Sequence, residues 1–492
     1  MTNPLVFVIT ESTRPLDRMD AEYVHPERVN MLKKLRELEK DGIIELRKLN
    51  TLFTVSKDKM KASSEEVLPC IEMQNVDVDY GLVNIKNVKV AHAGTSTVSC
   101  KGNQILFSGI RPYLNKIALL HSNVNNGICS REFLVLSPIA EKTSTGYLWL
   151  VLRSNFVLSQ SKHLSGGSLR PRIDDNYVAD LEIPVLKDSS ILSEIDSSVH
   201  IALEKYYTAQ TKLKTAEFNF LNAIGLESPP KLSGLFFDYA NPQSDSPRPF
   251  YRMDPLFFHP SYYEELKGLL EQWAKSHNGN VLKLEALCVP DGIKRRKARL
   301  TSHIGSIPRL GVENITENGI LWDCERVGVK PKQNQAYSRK GDILITSTGV
   351  GSTGKIAIYD EETPSVTDGH ITIVRTKPEI NSYYLLAYLK CEYARRQLSR
   401  LERGSSGQIE LYAEDIKNVL VPIPKDDDKN VIEKAQTKVR EALDEIKDAK
   451  DILRRARIRL DYILTKSPAL QERLRDDVKS AIPEPEWKII RL

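Results

Sequence analysis

The sequence predicts an α+β fold made twice: two tandem, mainly-β domains, each followed by a long helix. Three observations carry that expectation. Landmarks in the first half return in the second at offsets of 234 to 240 residues. Within each half, short apolar runs are separated by Gly, Asn and Pro, which is a β pattern. Each half then closes in a segment whose apolar residues recur every three or four positions, which is a helical period.

The repeat is read from ordered landmarks. Arg18 to Pro26 is RMDAEYVHP, and Arg252 to Pro260 is RMDPLFFHP. PCIEMQNV from Pro69 is answered by PRLGVENI from Pro308, pairing Asn75 with Asn314, and KGNQILFS from Lys101 by KGDILITS from Lys340. A short proline-bearing strand ends each half, LEIPVL at Leu181 to Leu186 and VLVPIP at Val419 to Pro424. The order is the same in both halves, and 492 residues suffice for two cores. Between the landmarks, QILFSGI (Gln104 to Ile110), IALLH (Ile117 to His121), DILITS (Asp342 to Ser347) and KIAIYD (Lys355 to Asp360) read as strands. A short helix is expected after each His-Pro dipeptide, over Glu27 to Lys40 and Ser261 to Ser276. One helix returns late in each half, over Gly146 to Ser161 and Ser382 to Glu402.

The closing helices have an unusually strict phase. The first runs Leu192, Ile195, Val199, Ala202, Tyr206, Ala209, Leu213, Ala216, Phe220 and Ala223. The second runs Ile432, Ala435, Val439, Ala442, Ile446, Ala449, Leu453, Ala456, Leu460 and Ile463, each 240 positions on. Alternating steps of three and four make the seam of a coiled coil, on the order of 45 Å long at 1.5 Å per residue. Alanines shared by both seams let helix axes approach closely. Two amphipathic helices buried separately in their own domains are the alternative, but a core helix shows a wider apolar face and a looser phase. Gly225 is a natural left-handed stop for the first helix, and a linker rich in Pro, Ser and Asp follows from Glu227 to Pro249.

Composition narrows the class. Hydrophobic residues make up 41% and charged residues 27%, and no apolar run nears the ~20 residues of a membrane span. Leu5 to Ile9 is too short for a signal peptide and has no basic lead-in, so a cytoplasmic location is expected. Cys70, Cys100, Cys129, Cys288, Cys324 and Cys391 are never closer than 29 positions. That spacing suits free thiols, and neither a metal nor a cofactor is expected. A net charge of +5 is modest, and only a clustered basic face would point to a polyanionic partner.

The second half carries a string of motifs: KGDILITSTGVGSTGKIAIYDEE (Lys340 to Glu362), GHITIVR (Gly369 to Arg375) and GSSGQIELYAEDIKNVLVPIP (Gly404 to Pro424). The first half has a looser version in KGNQILFSGIRPYLNKIALL, SREFLVL and SGGSLRPRIDDNYVADLEIPVL. Over nearly its whole length the chain resembles the specificity subunits of type I restriction-modification systems. The resemblance implies two target-recognition domains separated and followed by long antiparallel coiled-coil helices. The expected divisions are a first target-recognition domain at 1–188, a spacer helix at 189–226, a linker at 227–251, a second domain at 252–426, a second spacer helix at 427–466 and a tail at 467–492. Each domain would read one part of a split site on double-stranded DNA. The paired helices would set the spacing and dock two methyltransferase subunits, joined in a restricting complex by a nuclease/translocase subunit, with no membrane partner. The RMDxxxxHP opening and the tail beyond Thr465 lie outside that family's core pattern, and leave open a related defence or methylation system. A coiled-coil scaffold that does not itself read DNA is the other alternative.

No catalysis is expected from this chain. Gly349 to Lys355, GVGSTGK, falls short of a phosphate-binding loop because Ile356 stands where Ser or Thr is needed and a strand follows instead of a helix. Asn241-Pro242-Gln243-Ser244 is the nearest approach to an adenine-methylating motif and lacks its second proline and aromatic residue. Glu445-Ile446-Lys447 resembles a nuclease fragment but lies on the seam helix, where alternating charge is a solvated face. His25 and His259 recur before prolines, and a capping role is expected for both.

DNA contacts call for Lys and Arg at phosphates and for Arg, Asn or Gln at base edges. The densest basic run is Lys294, Arg295, Arg296 and Lys297. Arg111, with Lys116 close behind it, aligns with the Gly-rich loop of the second half, which Ser347 and Thr348 open. Arg170 and Arg172 align with the loop around Gln408. These loops are the candidate readers, because two domains reading different half-sites should share a scaffold and diverge there.

Overall fold

A computed structural model describes residues 25–56, 65–90, 97–139, 144–167, 169–230, 255–317, 319–320, 324, 326–329, 337–349, 351–404, 409–425 and 429–465. The RMD portions of the repeated opening, most of the linker, Gln408 and the C-terminal tail lie outside them. The chain divides into two compact units: Met1–Tyr207 with Lys447–Leu492, and Thr208–Ile446.

The first unit opens with α1 (Pro26–Lys40). His25 Nδ1 accepts the Glu27 N–H at 3.2 Å and Pro26 sits at the first helical position, so the start is capped as the repeat predicts. Strands follow: β1 (Ile44–Lys48), β2 (Phe53–Ser56), β3 (Val67–Ile71), β4 (Lys86–Lys89), β5 (Thr97–Cys100), β6 (Ile105–Ser108), β7 (Ile117–Leu119), β8 (Gly127–Ser130) and β9 (Phe133–Pro138). Helices α2 (Thr145–Leu152), α3 (Asn155–Leu164) and α4 (Asp175–Ala179) precede β10 (Glu182–Leu186) and the long α5 (Ser189–Ala223). The strands form two four-stranded sheets, ordered β2-β9-β6-β7 and β4-β3-β8-β5, and a β1-β10 pair. Ile71, Val98, Leu106, Phe133 and Val135 share one buried core drawn from both larger sheets. All four residues of β6 are buried, which explains why it reads as an unbroken apolar run rather than an alternating one.

The second unit repeats this plan. α6 (Pro255–Phe258) and α7 (Glu264–Ser276) precede β11 (Asn280–Lys283), β12 (Cys288–Arg295), β13 (Leu300–Leu310), β14 (Ile315–Thr316), β15 (Gly319–Ile320), β16 (Arg326–Val329), β17 (Tyr337–Ser338), β18 (Ile343–Thr346), β19 (Ile356–Ile358), β20 (Ser365–Thr367) and β21 (Ile371–Thr376). Then come α8 (Ser382–Lys390), α9 (Glu392–Leu401), α10 (Ala413–Ile416), β22 (Leu420–Ile423) and α11 (Lys429–Thr465). The sheets run β12-β21-β18-β19 and β16-β13-β20-β17, with a β11-β22 pair and a small β14-β15 hairpin. Apart from that hairpin, each sheet has a counterpart of the same order in the first unit. His259 Nδ1 likewise accepts the Ser261 N–H, at 3.3 Å.

The late helix expected in each half is in fact two. A single extended residue interrupts it, Ser154 (ψ 154°) in one unit and Cys391 (ψ 165°) in the other. Neither break contains Gly or Pro, so no local signal marks it. Beyond the break, the second helix supplies a buried glutamine to the last strand. Gln160 Nε2 donates to Glu182 O at 2.9 Å while its Oε1 accepts the Glu182 N–H at 3.0 Å. Gln397 does the same with Leu420, at 3.2 and 2.7 Å.

Each long helix gives one half to each unit. In the first unit Lys205 Nζ lies 2.7 Å from Asp448 Oδ2, and Glu194 pairs with Arg459. In the second, Lys212 Nζ lies 2.6 Å from Glu445 Oε1. In the first unit partner numbers fall in α11 as they rise in α5, so the two run antiparallel there. Ile195, Val199, Ala202, Tyr206, Ala209, Leu213, Ala216 and Phe220 are buried, as are Val439, Ala442, Ile446, Ala449, Leu453, Ala456 and Leu460. Leu192 and Ile463 are half-buried and Ala223 is exposed, while the side chains of Ile432 and Ala435 lie outside the described set. None of the described helices is long and apolar enough to cross a membrane.

Replacing Gln160 with Met keeps the volume and strips two partners from the Glu182 backbone. We expect a loss of about 1–3 kcal/mol, read from chemical denaturation of the full chain.

Candidate nucleic-acid interface

In the first unit the chain crosses from one large sheet to the other at Arg131-Glu132, between β8 and β9. Three segments meet at that corner. Gly109 N–H donates to Glu132 O at 2.8 Å, Ile173 N–H to Gly109 O at 3.1 Å, and Arg111 N–H to Pro171 O at 2.7 Å. Gly166 and Arg172 close the loop between them by exchanging backbone hydrogen bonds, both 2.8 Å. The result is a platform laced by main-chain bonds, with exposed Arg111, Arg131, Arg170 and Arg172 on it. Arg111 holds left-handed backbone (φ 44°, ψ 53°), and its Nη2 donates to Leu169 O at 2.8 Å. Arg172 Nη2 donates to Glu132 Oε1 at 2.9 Å yet stays 55% exposed. Arg131 and Arg170 have no side-chain partner among the described residues.

The second unit builds the same platform with other side chains. Ser347 N–H donates to His370 O at 2.8 Å, Leu411 N–H to Ser347 O at 2.9 Å, and Gly349 N–H to Ile409 O at 2.9 Å. Arg403 and Glu410 exchange backbone bonds of 2.8 and 2.7 Å, as Gly166 and Arg172 do. Glu410 therefore stands where the first unit has Arg172. Its carboxylate pairs with Arg295, whose Nη2 also donates to Leu411 O at 2.7 Å. Hydrogen bonds from Arg295, and then Tyr412, hold the Glu410 carboxyl below the usual carboxylate range. Tyr412 is 41% exposed, with the Arg295 and Arg403 guanidinium groups 5.5 and 5.0 Å from its ring.

The remaining sequence candidates divide by direction. Lys116 Nζ turns inward to Met73 O (2.7 Å) and Val76 O (3.2 Å), and burial lowers its pKa. The Ser347 hydroxyl is buried, 2.6 Å from Thr372 Oγ1. Thr348 is half-buried in a bridge with Glu410. The basic run is not one face. Lys294, 3.6 Å from Asp291, and Lys297 are exposed, whereas Arg295 braces the platform and half-buried Arg296 donates to Asp291 O at 2.6 Å. Arg131, Arg403 and Tyr412 belong to the platforms but were not singled out from sequence. Arg131 opens SREFLVL and Tyr412 follows GSSGQIEL, so their motifs were visible even though their convergence was not.

Two other features bear on chemistry. The GVGSTGK stretch links antiparallel β18 and β19, and its Gly349 and Gly354 adopt positive φ, so it is a hairpin connection rather than a phosphate cradle at a helix start. His25, Glu27 and His163 could offer three ligand atoms within 4.8 Å of one another. However, the two imidazoles stack at 4.2 Å and 14°, His25 Nδ1 is taken by the helix cap, and Glu27 is held by Lys162 and His163, both at 3.2 Å. Parallel rings aim their lone pairs side by side, which is a poor start for closing on one ion.

Residues 291–454 match the family described as the type I restriction modification DNA specificity domain. The HsdS subunit from Thermoanaerobacter tengcongensis is 16% identical, over 86% of this chain and 96% of that one, with a TM-score of 0.31. The type I restriction-modification system S subunit from M. genitalium is 16% identical, over 87% of this chain and 96% of that one, with a TM-score of 0.40. No curated protein sequence matches.

Glu410 supplies the pH prediction. Its pKa is depressed in the folded chain, so the stability its pair with Arg295 contributes is fully present above about pH 4.3, the unfolded value, and is lost as pH falls through the depressed value. Glu410→Gln should remove that acid-side step, read from acid denaturation midpoints of variant and wild type, with the carboxyl resonance of wild-type Glu410 reporting the depressed titration.

Proposed function

We propose, for a chain that belongs to the type I restriction-modification DNA specificity family, that it reads a two-part site on double-stranded DNA, one part with each unit. The observation that carries this reading is the pair of platforms: one main-chain scaffold, built twice, with different side chains at equivalent places. Arg172 opposite Glu132 in one unit and Glu410 opposite Arg295 in the other present inverted charge at one position. An arginine suits the guanine edge, and a carboxylate suits an exocyclic amine of cytosine. Exposed Arg131, Arg170, Lys294 and Lys297 suit phosphates.

In this reading, 1–188 and 252–426 are the recognition domains, and α5 and α11 pair as an antiparallel coiled coil that fixes the distance between half-sites. Two methyltransferase subunits dock on the helices and flip an adenine near each half-site, and a nuclease subunit completes a restricting complex. The chain itself contributes recognition without chemistry. Support for the pairing comes from the buried alanines at 202, 209, 442 and 449, and from the antiparallel ion pairs.

Binding through phosphates releases counterions, so affinity for the best DNA should fall steeply with salt. Arg170→Ala and Lys297→Ala should each reduce the slope of log K against log salt by about 0.9 while leaving sequence preference intact. Arg172→Ala should instead relax preference at one base pair of one half-site, at a cost of about 1–3 kcal/mol. Methylome sequencing with and without the gene should show a split motif that disappears. An unchanged methylome together with salt-insensitive binding would sink the reading.

A further inference from the structure

One feature of the first platform is not used by phosphate contacts or hydrogen-bond readout. Leu169, at the tip of the Gly166–Arg172 loop, is 85% exposed, the highest value among the exposed large apolar side chains described. A solitary exposed leucine is ordinary on a protein surface. This one is held out by its surroundings. Its loop is closed at the base by the reciprocal Gly166–Arg172 bonds, and Gly167 turns it with φ 98°. Its carbonyl is gripped by Arg111, a residue kept in left-handed backbone that costs a non-glycine side chain energy. Arg111, Arg131, Arg170 and Arg172 are exposed on the same platform, and among the described residues only Arg172 of the four is paired with a carboxylate.

A braced apolar tip among cations does not suit an apolar protein groove, which would have to desolvate four guanidinium groups. It suits a polyanion with an apolar interior between its charged edges, which is the stacked base pairs of duplex DNA. We infer that Leu169 is a wedge that enters a base step of the half-site bound by the first unit. The flanking arginines hold the phosphates on either side while the step opens. The aligned sequence of the second unit has Gly407 before Gln408 where the first has Leu169 before Arg170. The bend is therefore made at one half-site only, and the bound DNA is asymmetric. This inference rests on the DNA-recognition reading above.

The test uses the full-length chain and duplexes it recovers from a random-sequence DNA pool. Wild type, Leu169→Ala and Leu169→Met are compared for affinity, for end-to-end energy transfer across the duplex, and for fluorescence of 2-aminopurine placed through each half-site. Leu169→Ala should bind roughly tenfold more weakly with an unchanged salt slope, and should lose both the bend and the 2-aminopurine signal, with Leu169→Met retaining most of each. On a duplex carrying a mismatch at the signalling step, the stack is already open, so the gap between wild type and Leu169→Ala should shrink to about threefold or less. Because the side chain is exposed, circular dichroism should be the same for all three. If Leu169→Ala binds and bends the recovered duplex as wild type does, the wedge is wrong and DNA recognition stands. If the folded wild-type chain enriches no duplex from the pool, the recognition reading falls and takes the wedge with it.

Discussion

In each unit a buried carboxamide ties the platform loop to the long helix. Gln160 sits near the end of α3, six residues before the loop that begins at Gly166, and clamps the backbone of Glu182 at the start of β10. β10 then runs almost directly into α5. Gln397 repeats the arrangement between α9 and Leu420, at the head of the strand that leads to α11. A buried amide with both ends satisfied contributes little net energy, but it is costly to disturb, because the strand's N–H and C=O have no water to turn to. The clamp thus fixes the loop and the helix root relative to one another within a unit.

Around that clamp the units share the order of their larger sheets and the main-chain bonds of the platform, and differ there in what the side chains add. The platform rests on main-chain hydrogen bonds, which are indifferent to the residues that make them, provided the strands keep their register. Arg172 and Glu410 can therefore exchange charge without disturbing the scaffold. Each inserted charge still needs local compensation, and the structure supplies it from the sheet: Glu132 for Arg172, and Arg295 for Glu410. The basic run in the second half is partly explained by this internal need. Arg295 reads as a DNA contact in the sequence, yet it is a brace in the structure, with its guanidinium bound to Glu410 and to the Leu411 carbonyl.

Legibility followed the range of the interactions. The strands at 105–108, 343–346 and 356–358, the caps at His25 and His259, and the apolar phase of α5 and α11 were all readable, because each follows from neighbours a few residues apart. The helix breaks at Ser154 and Cys391 were not, since an extended residue there has no sequence marker and is imposed by packing beyond it. Lys116 and Ser347 looked like surface readers, and only the fold turns them inward, to Met73 O and to Thr372 Oγ1. Arg131 and Tyr412 are the opposite case: unremarkable in sequence, they acquire meaning from segments some 40 to 120 residues away that the sheets bring alongside.

By itself, then, the sequence determined that the chain is a repeat, that each half is mainly β, and that each ends in a long helix with one regular apolar stripe. These are local or self-similar properties, and periodicity and offset record them directly. Tertiary structure alone decided which polar side chains are solvent-facing and which are consumed as internal partners. It also decided that Arg111, Leu169 and Arg172 share one platform and that its counterpart carries Glu410 and Tyr412. That choice depends on hydrogen bonds between segments far apart in the chain, and a pattern of neighbours contains no trace of them.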